Sequence, residues 1–391
     1  MLAAERNGYL TAVVKRLISR MRKPYFENLD GLRFFCFLSI FFFHSFATEY
    51  DSIRFSGPYQ FIKFGLFGSG NLGVNFFFVL SGFLITYFLI EEKNARGEIE
   101  LKKFWIRRVL RICPLFYFSV AFGFIIFPIL KMIFGQVPNE TASLPFYLIF
   151  LNNFDVIRHG LPDASILGVL WSVAVEEQFY LLWPVALYLI PVRNYWIFFA
   201  AVMIGSNLFR NIYAGRAFIE FHTLSGIGDL TMGALAAWLA LSKKKFLNFF
   251  ENVQRGYIVM IYSVFLLLYL FHAQIFTGNY ILGMFERDII ALFIVLIILE
   301  QNYATHSLFK VSRLKIISRL GRYTYGFYCL HFIGILTATT LSKLIGFNSY
   351  LYSVLIFETT VAFLVTLILG FLSYRYLESP FLRLKGRFAS L

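Results

Sequence analysis

Two ionisable residues lie in the first long apolar stretch of the chain, LDGLRFFCFLSIFFFHSF, residues 29–46. Arg33 and His44 are eleven positions apart, about three turns of an α-helix, which places both side chains on one face, roughly 16 Å apart along the axis. An ionisable group inside a membrane helix is costly and usually marks a functional site. A buried imidazole can accept a proton from a reacting hydroxyl group or act as a nucleophile. The sequence leaves both roles open for His44, with a structural hydrogen bond to a neighbouring helix as the alternative.

Arg33 is expected about one helical turn inside the cytoplasmic face of the membrane. Asp30 precedes it by three residues, a spacing at which a helical ion pair can orient the guanidinium group. The alternative for Arg33 is an ordinary anchor whose long side chain reaches back to the membrane surface.

Three further arginines, Arg107, Arg108 and Arg111, begin a later apolar segment. Arg108 and Arg111 are three residues apart and therefore share a helix face. Guanidinium groups bind phosphate oxygens through two parallel hydrogen bonds, so this face is a candidate phosphate site. Membrane proteins also place arginines at cytoplasmic helix ends for topology alone, which is the alternative.

Several acidic and histidine residues also fall inside apolar segments. Glu176 and Glu177 point about 100° apart on a helix, so only one can readily face a given neighbour. We favour Glu176 for orienting His44 or for proton transfer, with an internal salt bridge to an arginine as the alternative. For His331 the sequence favours a structural role over a place beside His44. Two further carboxylates are expected to form internal polar contacts between helices, without chemistry: Asp229 and Asp288.

The composition predicts a membrane protein. Of the 391 residues, 59% are hydrophobic and 15% are charged, whereas a soluble domain carries about 25% charged residues. We expect no metal site, because the chain has no HExxH motif and its three cysteines form no CxxC pair.

Ten apolar segments are each close to the roughly 20 residues that a membrane-spanning helix needs. With the N-terminus in the cytoplasm, about 27 of the Lys and Arg residues fall on the cytoplasmic side and about 7 outside, as the positive-inside rule requires. This distribution accounts for the net charge of +14 through contact with anionic membrane lipids, without nucleic acid. The predicted spans are 30–48, 71–90, 110–132, 167–190, 195–213, 222–241, 256–273, 281–300, 322–343 and 350–374.

The predicted fold is therefore an all-α, polytopic membrane bundle of about ten transmembrane helices with both termini cytoplasmic. Residues 1–28 are expected to form a basic cytoplasmic tail, in which 10–21 are either an amphipathic surface helix or disordered. The transmembrane domain is assigned to 29–382, and 383–391 to a short cytoplasmic tail. Residues 144–152 are too short to cross and are expected to form a half-helix that dips into the membrane.

Four motifs in order along the chain resemble the membrane acyltransferase 3 family, whose members transfer acetyl or other acyl groups to sugars and related hydroxyl compounds. Residues 29–46 are similar to the opening helix of this family with its Arg-x10-His pattern. The second motif is similar to the Phe-rich run that ends in Ser-Gly-Phe. The third fits the family's Arg-x-x-Arg pattern, and the fourth is close to its Trp-Ser…Glu…Phe-Tyr signature. The resemblance covers about residues 25–382. The other three motifs are GVNFFFVLSGFLIT (73–86), FWIRRVLRICPLF (104–116) and LWSVAVEEQFYLLWP (170–184).

The resemblance implies an integral inner-membrane O-acyltransferase. A cytoplasmic acyl-CoA, expected to be acetyl-CoA, would bind through Arg108 and Arg111, assisted by Arg107, with its pantetheine arm directed past Arg33 towards His44. The acceptor would be a hydroxyl group of a cell-surface glycan or glycolipid, and the enzyme would work beside glycan-assembly partners.

Two other classes of function also fit buried charges in a polytopic bundle. A secondary transporter or exporter of a glycan precursor or small metabolite is one, although such proteins usually contain two related halves and none are evident here. A structural subunit of a glycan-assembly complex is the other. Binding of coenzyme A would separate the enzyme from the transporter.

Overall fold

The computed structural model describes residues 25–388, which are helical and contain no β-strand. The predicted all-α fold is therefore confirmed. Most of the predicted basic tail, including the segment 10–21, lies outside the described residues, as do residues 389–391.

Long helices occupy all ten predicted segments. Their bounds within the described part of the chain are α1 Glu27–His44, α2 Leu72–Arg96, α3 Leu101–Ile133, α4 Ser165–Leu189, α5 Tyr195–Ile212, α6 Thr223–Ser242, α7 Arg255–Leu270, α8 Glu286–Tyr303, α9 Thr324–Leu344 and α10 Ser353–Leu384.

Six of these helices (α2, α3, α4, α6, α9 and α10) are long and apolar enough to cross a membrane. A seventh crossing results if Lys244–Glu251 and α7, which meet at 90°, act as one broken span. The helices α1, α5 and α8 have 18 residues each, and α1 and α8 carry several charged residues. A multi-pass membrane bundle follows from these lengths, while ten crossings and cytoplasmic termini stay predictions.

The helices α2 and α6 cross at close range because each presents a glycine to the other. A methyl group added at Gly82 would lie 1.7 Å from the carbonyl oxygen of Leu230, and one added at Gly233 would lie 1.9 Å from that of Val79. Small residues at such crossings allow two backbones to approach each other. Packing against α6 therefore accounts for the glycine at position 82.

Shorter helices connect the long ones. The predicted half-helix at 144–152 corresponds to Leu144–Leu148, followed by Asn152–His159. The loop between α1 and α2 contains the turns Asp51–Arg54 and Gly57–Gln60, continued by Phe61–Leu66. Between α7 and α8 lie His272–Thr277 and Tyr280–Met284.

Two ion pairs join α8 to its neighbours. Arg287 Nη2 lies 2.5 Å from Asp229 Oδ2 on α6, and Arg210 Nη2 on α5 lies 2.8 Å from Asp288 Oδ2. The expectation that Asp229 and Asp288 form internal polar contacts is confirmed.

Candidate active site

A cavity of about 350 Å³ opens between α1, α2, α3, α4 and α9. It brings together residues that are far apart in sequence and that the sequence singled out. Five of the six predicted site residues line it: Arg33, Arg107, Arg108, Arg111 and Glu176.

One wall of this cavity is strongly basic. Arg108 stacks its guanidinium group over two aromatic rings, 5.4 Å from the centroid of Phe104 and 5.0 Å from that of Tyr180. Such stacking fixes the plane of the guanidinium group and leaves its N–H edge available. Within residues 25–388, neither Arg108 nor Arg111 forms an ion pair. Both can therefore accept an external anion without breaking a salt bridge of the protein.

Arg107 lies at the mouth of the same cavity. Its Nη2 is 3.8 Å from Glu92 Oε2, and its Nη1 donates a hydrogen bond of 3.0 Å to the carbonyl oxygen of Phe388. These contacts tie the beginning of α3 to the end of α2 and to the C-terminal segment. Arg107 thus holds the entrance in place, while Arg108 and Arg111 face the interior.

Arg33 points into the cavity, so the anchor alternative does not describe it. Its Nη1 lies 2.5 Å from Asp30 Oδ1, which confirms the expected helical pair, and Asp30 also accepts a hydrogen bond from the hydroxyl group of Tyr25. The carboxylate thus holds the guanidinium group in place in the cavity wall.

Glu176 lines the same cavity as the arginines and is held by two hydroxyl groups. Ser81 donates a hydrogen bond of 2.7 Å to Oε1, and Tyr180 donates one of 3.0 Å to Oε2. Both of its oxygen atoms are therefore engaged at the arginine end of the cavity, and its hydrogen bonds do not reach His44. Of the two roles the sequence offered for Glu176, orientation of His44 is thus not supported by the geometry.

Glu177, whose role the sequence left open, does not line the cavity, and its Oε1 is buried without a hydrogen-bond partner. The two adjacent carboxylates thus face different surroundings, as their positions on a helix require. Ser81 and Tyr180 were not singled out as a pair in the sequence, although both stand in the motifs 73–86 and 170–184.

His44 is the last residue of α1 and contacts a second histidine rather than a carboxylate. Its Nδ1 lies 3.0 Å from Nε2 of His331 on α9, and the two rings stack with centroids 5.1 Å apart. His331 is fully buried, and its Nδ1 lies 2.6 Å from the carbonyl oxygen of Tyr328. The sequence favoured a structural role for His331, whereas the structure places it directly behind His44.

These contacts assign the tautomers of both neutral rings. A carbonyl oxygen only accepts, so Nδ1 of His331 carries its proton and Nε2 keeps a lone pair. The hydrogen between the two rings then belongs to Nδ1 of His44. His44 Nε2 is left with the lone pair that a general base or a nucleophile requires.

The histidine pair adjoins the cavity through Tyr328, although His44 itself does not line it. The Tyr328 hydroxyl group lies 2.7 Å from that of Ser172, and both residues line the cavity. His331 follows Tyr328 by three residues, which is roughly 4.5 Å along the helix axis. The histidines therefore lie just beyond the wall formed by Tyr328.

Lys63 closes the end of α1 next to His44. Its ammonium group donates hydrogen bonds of 2.5 Å to the carbonyl oxygen of Phe43 and 2.8 Å to that of Ser45. A cation satisfies the free carbonyl groups at a helix C-terminus. Burial lowers the pKa of Lys63 to about 8. The backbone that carries His44 is thus held from the loop between α1 and α2.

Comparison with known proteins finds a family model and several relatives of this chain. A family model described as an acyltransferase domain matches residues 26–375. The chain is 26% identical over 380 residues to the peptidoglycan O-acetyltransferase OatA of Listeria monocytogenes, covering 93% of this chain and 56% of the relative. It is also 26% identical over 397 residues to the O-acetyltransferase OatA of Staphylococcus aureus, covering 95% of this chain and 59% of the relative. The chain thus spans little more than half the length of these relatives, and no solved structure matches it.

Proposed function

Since the chain belongs to the acyltransferase 3 family, we propose that it is an integral membrane enzyme that transfers an acetyl group from acetyl-CoA to a hydroxyl group of a cell-surface glycan. The observation that carries the proposal is the arginine-lined cavity that ends next to the histidine pair. Peptidoglycan, the acceptor in the name of the Listeria relative, is the first glycan to test.

The donor binds with its phosphates at Arg108 and Arg111. The cavity carries the basic residues Arg33, Arg107, Arg108, Arg111 and Lys385 against the carboxylates Glu92 and Glu176. This excess of positive charge suits the pyrophosphate and 3′-phosphate of coenzyme A. The roughly 16 Å between Arg33 and His44 matches the reach of a pantetheine arm, so the thioester arrives near the histidines.

The chemical step uses Nε2 of His44. As the acceptor oxygen forms a bond to the thioester carbonyl carbon, Nε2 takes the hydroxyl proton, the C–S bond breaks, and coenzyme A leaves as a thiolate that recovers the proton. In the alternative route the imidazole attacks first and carries the acetyl group. Labelled acetyl-CoA supplied without acceptor separates the two routes, because only the second leaves label on His44.

The proposed sidedness follows from the charge distribution of the sequence. The arginine-lined mouth faces the cytoplasm, where acetyl-CoA is made, and the enzyme lies in the cytoplasmic (inner) membrane. The acetyl group then crosses the bilayer within the bundle to a glycan outside, beside glycan-assembly partners.

Deletion of the gene tests the proposed function. We expect the surface glycan to lose an acetyl ester, seen by mass analysis of isolated glycan fragments, and a plasmid copy of the gene to restore it. Unchanged ester content together with no binding of acetyl-CoA by the purified protein would contradict the proposal and favour a transporter.

His331 is expected to act as a positioning residue for His44. Replacing it with Leu removes the acceptor that fixes the tautomer of His44 and should lower kcat about 10–100-fold, comparable to the effect of removing the groups that orient metal-binding histidines. His331→Gln should recover part of the rate, because its amide can donate to the Tyr328 carbonyl oxygen and accept from His44.

Steady-state kinetics with purified protein check this prediction. The donor KM should stay within twofold of wild type in both variants, since His331 lies outside the donor cavity. Equal kcat values for the Leu and Gln variants would contradict the positioning role.

A further inference from the structure

A second cavity, of about 520 Å³, lies between the first turn of α2, the end of α5 and the short helices that precede α8. Its volume is within the range of about 300–1,000 Å³ that is typical of small-molecule sites. The wall is rich in polar side chains, which include Asn71, Asn75, Arg210, Asn211, Glu220 and Arg287.

Both cavities lie along α2 and extend to opposite ends of this helix. The arginine-lined cavity extends to Glu92 near the C-terminus of this helix, and the second cavity extends to Asn71 at its N-terminus. Val74 lines both, while the adjacent residues Trp171 and Ser172 line the second and the first, respectively. The cavities therefore adjoin at this level of the bundle.

The histidine pair is connected to the same junction. Ser172 is hydrogen-bonded to the hydroxyl group of Tyr328, and the carbonyl oxygen of Tyr328 accepts from His331. A ligand that enters through the second cavity thus approaches the reacting groups from the side opposite the donor phosphates.

Charges in the wall of the second cavity are largely balanced by local partners. Arg210 pairs with Asp288, Arg287 pairs with Asp229, and Nε2 of His272 lies 3.0 Å from Glu286 Oε1. A wall with compensated charge does not favour an anion, in contrast to the first cavity.

Hydrogen-bonding capacity nevertheless remains at this end of the bundle. Nε of Arg287, a residue of the cavity wall, is buried without a hydrogen-bond partner. Buried polar groups normally find a partner. Aromatic rings complete the wall, with Trp171 and Phe276 among its residues. Amide, guanidinium and carboxylate groups beside aromatic faces suit a neutral ligand with many hydroxyl groups rather than a lipid chain.

We propose that the second cavity is the acceptor site and binds a neutral, hydroxyl-rich sugar unit. This inference rests on the proposed function, because an acceptor is needed only if the protein transfers an acyl group. It adds a binding site at the end of the bundle opposite the donor arginines, with Val74 and Trp171 at the boundary that the acceptor hydroxyl group must reach.

The test fills the cavity without removing a contact. Ala214 is exposed and lines the cavity, so Ala214→Trp places an indole in the space assigned to the sugar. Ala273 is exposed on the neighbouring short helix but does not line the cavity, and Ala273→Trp is the matched control. Asn71→Leu removes one polar group of the cavity wall and adds no bulk. It is the variant to test if Ala214→Trp fails to fold.

Binding is measured with purified full-length protein in detergent, using a soluble N-acetylglucosamine tetramer and, separately, acetyl-CoA. We expect Ala214→Trp to raise the Kd for the tetramer at least tenfold and Asn71→Leu to raise it several-fold. Ala273→Trp should leave it unchanged, and the Kd for acetyl-CoA should stay within twofold in all variants.

Two results would overturn the proposal: no binding of the tetramer by wild-type protein, or equal affinity in folded Ala214→Trp and Ala273→Trp. Binding of the sugar without any binding of acetyl-CoA would support the cavity and contradict the proposed donor. The two proposals can therefore fail separately.

Discussion

Replacing His44 with Ala is expected to abolish acetyl transfer, with a loss of about 10³-fold or more in kcat, near the upper part of the range for removal of a general base. The reason is that, in the chain of hydrogen bonds running from the Tyr328 carbonyl oxygen through His331, Nε2 of His44 is the ring nitrogen whose lone pair is left free for the reaction. The measurement is ester formation by purified protein with labelled acetyl-CoA and a glycan acceptor.

Binding of acetyl-CoA should survive this change, because His44 does not line the donor cavity. A matched control is His306→Ala, which removes an exposed loop imidazole and should keep wild-type activity. If the His44 variant transferred acetyl groups at the wild-type rate, His44 would have no role in the chemical step. This conclusion would hold whether or not the donor site is confirmed.

Replacing both Arg108 and Arg111 with Ala is expected to weaken acetyl-CoA binding by roughly 100-fold or more. A hydrogen bond to a charged group contributes about 1.5–3 kcal/mol, and about 1.4 kcal/mol corresponds to a tenfold change in Kd. Neither arginine forms an ion pair within the described residues, so the loss should come from donor contacts rather than from a broken salt bridge. Calorimetric titration with acetyl-CoA measures the effect.

The control removes the same charge from the surface. Arg193 and Arg255 are exposed, and the double change Arg193→Ala plus Arg255→Ala should raise the Kd less than twofold at physiological ionic strength, where exposed charges are screened over about 8 Å. Comparable weakening in both double variants would indicate a general charge effect and not a phosphate site.

Some features of this protein were determined by the sequence alone. Composition indicated a membrane protein, and helical periodicity indicated the Arg33–Asp30 pair that the structure contains. The Arg-x-x-Arg spacing placed Arg108 and Arg111 on a common cavity wall. These features were predictable because they depend on a single helix, whose geometry is regular and local.

Other features required the tertiary structure. Ser81 and Glu176 are 95 residues apart, and His44 and His331 are 287 residues apart. Their contacts depend on the rotation and depth of two separate helices, which no single-helix pattern specifies. For the same reason Glu176 lies with the arginines and not with His44, and the second cavity had no signal in the sequence.

The number of membrane crossings shows the same division. Apolar segments predicted the positions of all ten long helices, because hydrophobic runs are read along one chain segment. Whether α1, α5 and α8 cross the bilayer depends on the neighbours that surround their charged residues, such as Asp229 beside Arg287. The free energy of a buried charge depends on those tertiary contacts. The positions of the helices could therefore be predicted from the sequence, whereas the positions of their charged residues depend on how the helices pack.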